Sequence, residues 1–144
     1  MLITPGYSQS IEASNSNKTE TIPRIAANPD IDGVLNESVW SQAALISDFH
    51  QYQPVEYAQP TQKTEVRVFY SEDAIYIAAR MWDTQADLIS ANVLRQGQEL
   101  RSDDVFAVIL DPYLDRRNGY RFEVNPNGVR WEGLFQNVTE VESN

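Results

Sequence analysis

The chain has 144 residues, 42% of them hydrophobic and 10% aromatic, with 11 basic against 21 acidic side chains and a formal net charge of −10. That size and apolar share support one domain with its own core and argue against overall disorder. The acid excess disfavours nucleic acid and anionic membrane surfaces, which need a cationic footprint. With no cysteine there is no disulfide, no thiolate metal site and no thiol nucleophile.

In chain order, the first ten residues, MLITPGYSQS, lack the basic and long apolar regions of a secretory signal, so an exported parent would carry its signal outside this sequence. Residues 8–21 are rich in Ser, Asn and Thr, and residues 1–21 read as a flexible leader ahead of a folded domain over 22–144. Asn-x-Thr triplets occur at Asn17 and Asn137 and carry little weight, because they arise often by chance.

Ile31-Asp32-Gly33 reads as a tight turn. Asn36 is then expected to cap a short helix, with Val39, Trp40, Ala43 and Ala44 on its apolar side and Trp40 as a core plug. His50, the only histidine, has no evident partner for catalysis and reads as a loop or rim residue. Thr64 to Tyr70 alternates with Val66, Val68 and Tyr70 on one face. A Ser71-Glu72-Asp73 turn leads to a return strand through Ile75, Ile77, Ala79 and Met81. The other face of that hairpin carries Tyr76, Ala78, Arg80 and Trp82 and is expected to be partly covered.

Residues 87–93 predict one or two helical turns, and 94–101 a polar excursion. The β-branched run over 105–110 reads as a buried strand, ended by Asp111-Pro112. A loop with Asp115, Arg116, Arg117, Asn118 and Gly119 reverses the chain. Tyr120, Phe122 and Val124 then alternate with Arg121 and Glu123, which predicts the aromatic face inward. Asn125-Pro126-Asn127-Gly128 is dense turn chemistry, and Val129 and Trp131 continue into a third strand. The whole predicts an antiparallel β-sandwich with one short helix, an all-β fold.

Candidate chemistry is sparse. Asp83, Asp104, Asp111 and Asp115, with Asp103, are loop carboxylates of the kind that supply oxygen ligands to calcium. There is no EF-hand pattern, and each serves equally well as a turn or cap residue. No nucleophile elbow, zinc-protease helix or phosphate loop occurs, so the chain is expected to be non-catalytic. Trp82 and Trp131 lie near strand ends, where an indole can stack on a sugar ring while neighbouring polar groups bind hydroxyls. The plainer role for each is core or rim packing.

Three stretches taken together, IDGVLNESVW, TEVRVFYSEDAIYIAARMWD and SDDVFAVILDPYLDRRNGYRFEVNPNGV, resemble carbohydrate-binding module family 9. The resemblance is nearer to the family-9-like domain that precedes an outer-membrane β-barrel region in many Gram-negative bacteria. It implies a β-sandwich, a periplasmic or cell-surface location, an outer-membrane barrel as parent, and binding of oligo- or polysaccharide, sometimes with structural calcium. In sugar-binding members of the family, an aromatic precedes the acidic start of one strand, a Glu lies within it and an Arg in the next; the matching places here are Arg101, Ala107 and Glu123. A second clamping Trp belongs to a segment beyond this sequence, which implies truncation, an unpaired strand edge and self-association. The sugar contacts to be expected are Trp82 and Trp131 as platforms, with Arg80, Arg101, Glu123 and Asn125 as polar partners. The alternatives are a structural or interaction domain serving the parent barrel and a fragment of a glycoside hydrolase.

Overall fold

A computed structural model describes residues 19–135. It is all-β in its regular structure: six strands in two antiparallel three-stranded sheets, with single-turn 3-10 helices at Ser38–Ser41 and Ala86–Leu88. Two antiparallel sheets are the strand content expected of the all-β, β-sandwich class. The chain divides into two compact units after Trp82, and each is taken in turn. The sequons at Asn17 and Asn137 and most of the expected leader lie outside the described residues.

In the first unit, β1 (Ala44–Ile46), β2 (Thr64–Tyr70) and β3 (Ile75–Met81) pair in that order. The hairpin was legible; β1 was not, because three residues are too few for alternation to declare a strand. Its partners are set by register, with Ala44 opposite Val68 and Ile46 opposite Val66. Residues directly opposite share a face. Val66, Val68 and Tyr70 thus share one face with Ala79, Ile77 and Ile75, and Glu65, Arg67 and Phe69 share the other with Arg80, Ala78 and Tyr76. The deepest burial lies on that second face, contrary to the expectation from the valines. Phe69 is fully buried, while Tyr70 stays 39% exposed. The reason is Trp40, whose ring meets Phe69 edge-on at 5.3 Å while Phe69 stacks on Tyr76 at 4.7 Å. Val39, Ile25, Ala27 and Leu35 complete that cluster.

The segment bearing Trp40 is one 3-10 turn rather than the expected helix, and Glu37 stands at its start in place of Asn36. The Glu37 carboxylate accepts the Trp40 indole N–H at 3.0 Å and the Asp30 amide at 3.2 Å. Those bonds aim the indole at the sheet. Ahead of it, Asp32 accepts the Val34 amide and Gly33 takes a φ of +83°, which is the turn the sequence implied.

In the second unit, β4 (Phe106–Leu110), β5 (Gly119–Val124) and β6 (Arg130–Phe135) form the expected meander. Gly119 is required where β5 begins, since a Cβ there would stand 2.7 Å from the Leu110 carbonyl oxygen. The alternation along β5 is as read, but its burial is inverted. Tyr120 and Phe122 are each 41% exposed, whereas the Glu123 side chain is 10% exposed and ion-paired to Arg121. Glu123 lies opposite Trp131, and Arg121 opposite Gly133, where the Trp131 ring fills the space a side chain would take. A mutually neutralising pair under an indole tolerates cover that either charge alone would resist.

The hub of this unit is Asp103 with Asn125. Asp103 accepts hydrogen bonds from the amides of Asn92 and Val93, both at 2.9 Å, and from the Asn125 side-chain amide at 2.8 Å. Asn125, 4% exposed, also donates to the Val93 carbonyl and accepts the Val129 amide. One carboxylate and one amide thereby tie residues 90–93, the start of β4 and the Asn125–Gly128 turn together, with Val93, Leu100 and Val129 buried beside them. Partial burial pushes the Asp103 carboxyl up, but the bonds from Asn125, Val93, Asn92 and Ser102 outweigh it and hold it at about 2, below its ordinary 3.8.

Two expectations follow. Phe69→Ala removes the centre of the aromatic cluster and is expected to lower unfolding free energy by about 3–5 kcal/mol in chemical denaturation; a loss under about 1 kcal/mol would mean the cluster does not anchor the first unit. Asp103 has a depressed folded-state pKa, so its stabilisation is complete above pH 3.8 and is lost as pH falls through about 2. Asp103→Asn is therefore expected to be less stable than the parent at pH 7, with the gap closing between pH 4 and 2. A gap independent of pH in matched denaturation curves would contradict that role.

Candidate functional site

The site is built on the second face of the β2–β3 hairpin, where cover runs out. Reading outward along register, Phe69 faces Tyr76 under Trp40, then Arg67 faces Ala78, then Glu65 faces Arg80. The row continues one step past the strands: the Trp82 amide donates to the Lys63 carbonyl at 2.9 Å, which sets Lys63 beside Trp82. A covered aromatic core thus grades into an open polar ledge, because the 3-10 turn reaches only as far as Arg67, which donates to the Trp40 carbonyl at 3.0 Å.

Trp82 is 39% exposed. The Lys63 ammonium lies 4.6 Å from its ring centroid and the Arg80 guanidinium 5.8 Å, both within cation–π range. Lys63 also bonds Glu65 at 2.7 Å, and that contact draws the Glu65 carboxyl below its usual value, with partial burial opposing it. Beside the ledge runs a groove of about 360 Å³, lined by Asn36, Glu37, Ser41, Glu65, Arg67 and Arg80 among others, at the lower end of small-ligand pocket sizes. A wider groove of about 880 Å³, between residues 24–28 and 71–73, includes the exposed Arg24–Glu72 pair and Tyr76 but no indole.

Of the six residues expected to touch sugar, Trp82 and Arg80 come together here. The other four lie in the second unit. Trp131 is half-buried against Val93, Leu100 and Val129, and Glu123 stands opposite it, paired to Arg121. Arg101 is exposed and pairs with Glu99 at 3.0 Å. Asn125 is buried with its amide nitrogen and oxygen both bonded inside the protein, so the expectation that it meets a ligand is corrected: it holds the turn. Sequence reasoning missed Lys63, Glu65 and Arg67. The signal was present, since they occupy alternate positions facing Trp82, Arg80 and Ala78 once the turn at 71–73 fixes the hairpin register.

The loop carboxylates have other employment. Asp83 accepts the Gln85 amide at 2.7 Å, and Asp104 the Ser90 amide at 2.8 Å. Asp111 accepts the amides of Tyr113, Asp115 and Arg116. Asp115 accepts the amides of Arg117 and Asn118 and the Asn118 side chain; the Asn118 bonds, foremost, hold its carboxyl below the usual range. These caps let Leu114 and Arg116 hold positive φ values of 54° and 56°. Among the described residues no group of three or more His, Cys, Asp or Glu side chains is placed to hold a metal ion. Among the described residues, too, no helix is long and apolar enough to cross a membrane.

Comparison with known proteins agrees with the fold. Residues 31–140 match the model of one family, the carbohydrate family 9 binding domain-like family. No curated protein matches the chain, and no solved structure does. The matched segment spans both sheets and most of the chain, and on that ground the protein belongs to the carbohydrate family 9 binding domain-like family.

Proposed function

We propose that this chain is a non-catalytic carbohydrate-binding domain whose sugar platform is Trp82, flanked by Lys63, Glu65 and Arg80. Membership of a carbohydrate-binding family supports the ligand class. The observation that carries the choice of platform is the ledge itself, an indole 39% exposed with two cations at its ring and a polar groove alongside. An indole held in this way supplies a rigid apolar surface for the C–H face of a pyranose. The charged groups around it set the sugar's orientation through its hydroxyls. Placement of the protein at a Gram-negative cell envelope, next to a barrel-forming region, is part of this reading and rests on the sequence resemblance.

A second platform is favoured by one specific observation: Trp131 stands directly opposite Glu123, with the Arg121 pair on the same face of the second sheet. Its packing against Val93, Leu100 and Val129 argues for a structural role instead.

The two are separated by tryptophan-fluorescence titration with soluble xylo- and cello-oligosaccharides. The expected result is a saturable shift that Trp82→Ala weakens by about tenfold or more and Trp131→Ala leaves nearly intact in folded protein. Loss confined to Trp131→Ala would transfer the site to the second sheet. No shift in a sample with an intact β-sheet spectrum would instead favour a structural or interaction domain.

A further inference from the structure

Resting on the Trp82 reading, we propose that the ligand this ledge prefers is an acidic saccharide, a chain containing uronic-acid units, with the sugar carboxylate on Arg80 and the ring on Trp82. Hydrogen-bonding capacity left over after folding points to an acid. A neutral sugar offers hydroxyls, each a donor as well as an acceptor, and sites for it need acceptors to receive those protons. Here the nearby carboxylates are already in use, though not to capacity. Each Glu37 oxygen accepts one bond, from the Asp30 amide and the Trp40 indole, and one Glu65 oxygen is bonded to Lys63.

The donors are not spent. Arg80 is exposed, and its guanidinium makes no hydrogen bond or ion pair among the described residues; it lies 5.8 Å from the Trp82 ring centroid and attracts the Glu65 carboxylate opposite it at longer range. A guanidinium carries five N–H donors in a planar fork that matches a carboxylate. The Lys63 ammonium, with its side chain 63% exposed, keeps donors beyond the one it gives Glu65. A carboxylate is acceptor-only when ionised, so it complements a ledge of surplus donors in a way that a further hydroxyl does not. The chain's overall charge of −10 opposes an anionic ligand at long range. At about 0.15 M salt, however, charges farther than roughly 8 Å are largely screened, and the contact pair on Arg80 is not.

The test uses oligogalacturonate and its fully methyl-esterified form, which present the same ring with and without the charge, beside the neutral xylo- and cello-oligosaccharides. Calorimetric titration of the whole chain at about 0.15 M salt is expected to show the free acid binding about tenfold more tightly than the ester. That ratio should fall towards one in Arg80→Gln. Arg80 is exposed, so this variant is expected to melt near the parent temperature. Equal affinity for acid and ester, both abolished by Trp82→Ala, would overturn the charge preference and leave the sugar platform standing. So would binding of the neutral oligosaccharides alone. An acid preference that survives Arg80→Gln would overturn the assignment to this ledge. Failure of every saccharide to bind would remove the platform and the preference together.

Discussion

The contact of Trp40 with Phe69 decides how the first unit is used. A two-faced hairpin can be covered on either side, and the valines of β2, with Val66 buried, do not mark the face that is buried deepest. The Trp40 indole, held by Glu37 and laid edge-on against Phe69, which stacks on Tyr76, draws the deepest burial to the opposite face. Because the cover is a single turn of 3-10 helix, it protects only part of that face. The remaining positions on the same face, Glu65 with Arg80 and Lys63 with Trp82, stay polar and open. The candidate site is therefore the uncovered end of the core face, aligned by the same register that aligns the core.

A different device holds the second unit. Its buried apolar cluster is small, with Val93, Leu100 and Val129 at its centre, and polar bonds supply the connections. Asp103 and Asn125 together engage three separate backbone segments, and burial strengthens each bond while making any unpaired group costly. The same economy appears in the loop after β4, where Asp111 and Asp115 satisfy successive amides and hold two positive-φ residues. In that loop the two acids are the scaffolding of turns.

The inversion along β5 shows the limit of a strand pattern. Alternation of Tyr120, Phe122 and Val124 with Arg121 and Glu123 identifies a strand correctly, because the pleat forces a period of two. It says nothing about which face is covered. That depends on Trp131 and Gly133 in the next strand: the indole leans into the space that glycine leaves, on the side of Arg121 and Glu123. Hydrophobicity assigns the two faces a rank, and a neighbouring strand can reverse it when the charged residues neutralise each other.

By itself, the sequence determined the local structure: the hairpin through Ser71–Asp73, the meander after Ser102, the Asp32-Gly33 and Asn125–Gly128 turns, the all-β class and the family. Each depends on interactions between residues close along the chain or on a pattern that short-range geometry imposes. Only the tertiary structure decided which faces are covered, that Asn125 is buried rather than a ligand contact, and that Lys63 and Glu65 join Arg80 at Trp82. Those outcomes depend on partners tens of residues away, Trp40 for Phe69, Asp103 for Asn125 and Lys63 for Trp82, and no local pattern records where a distant side chain will come to rest.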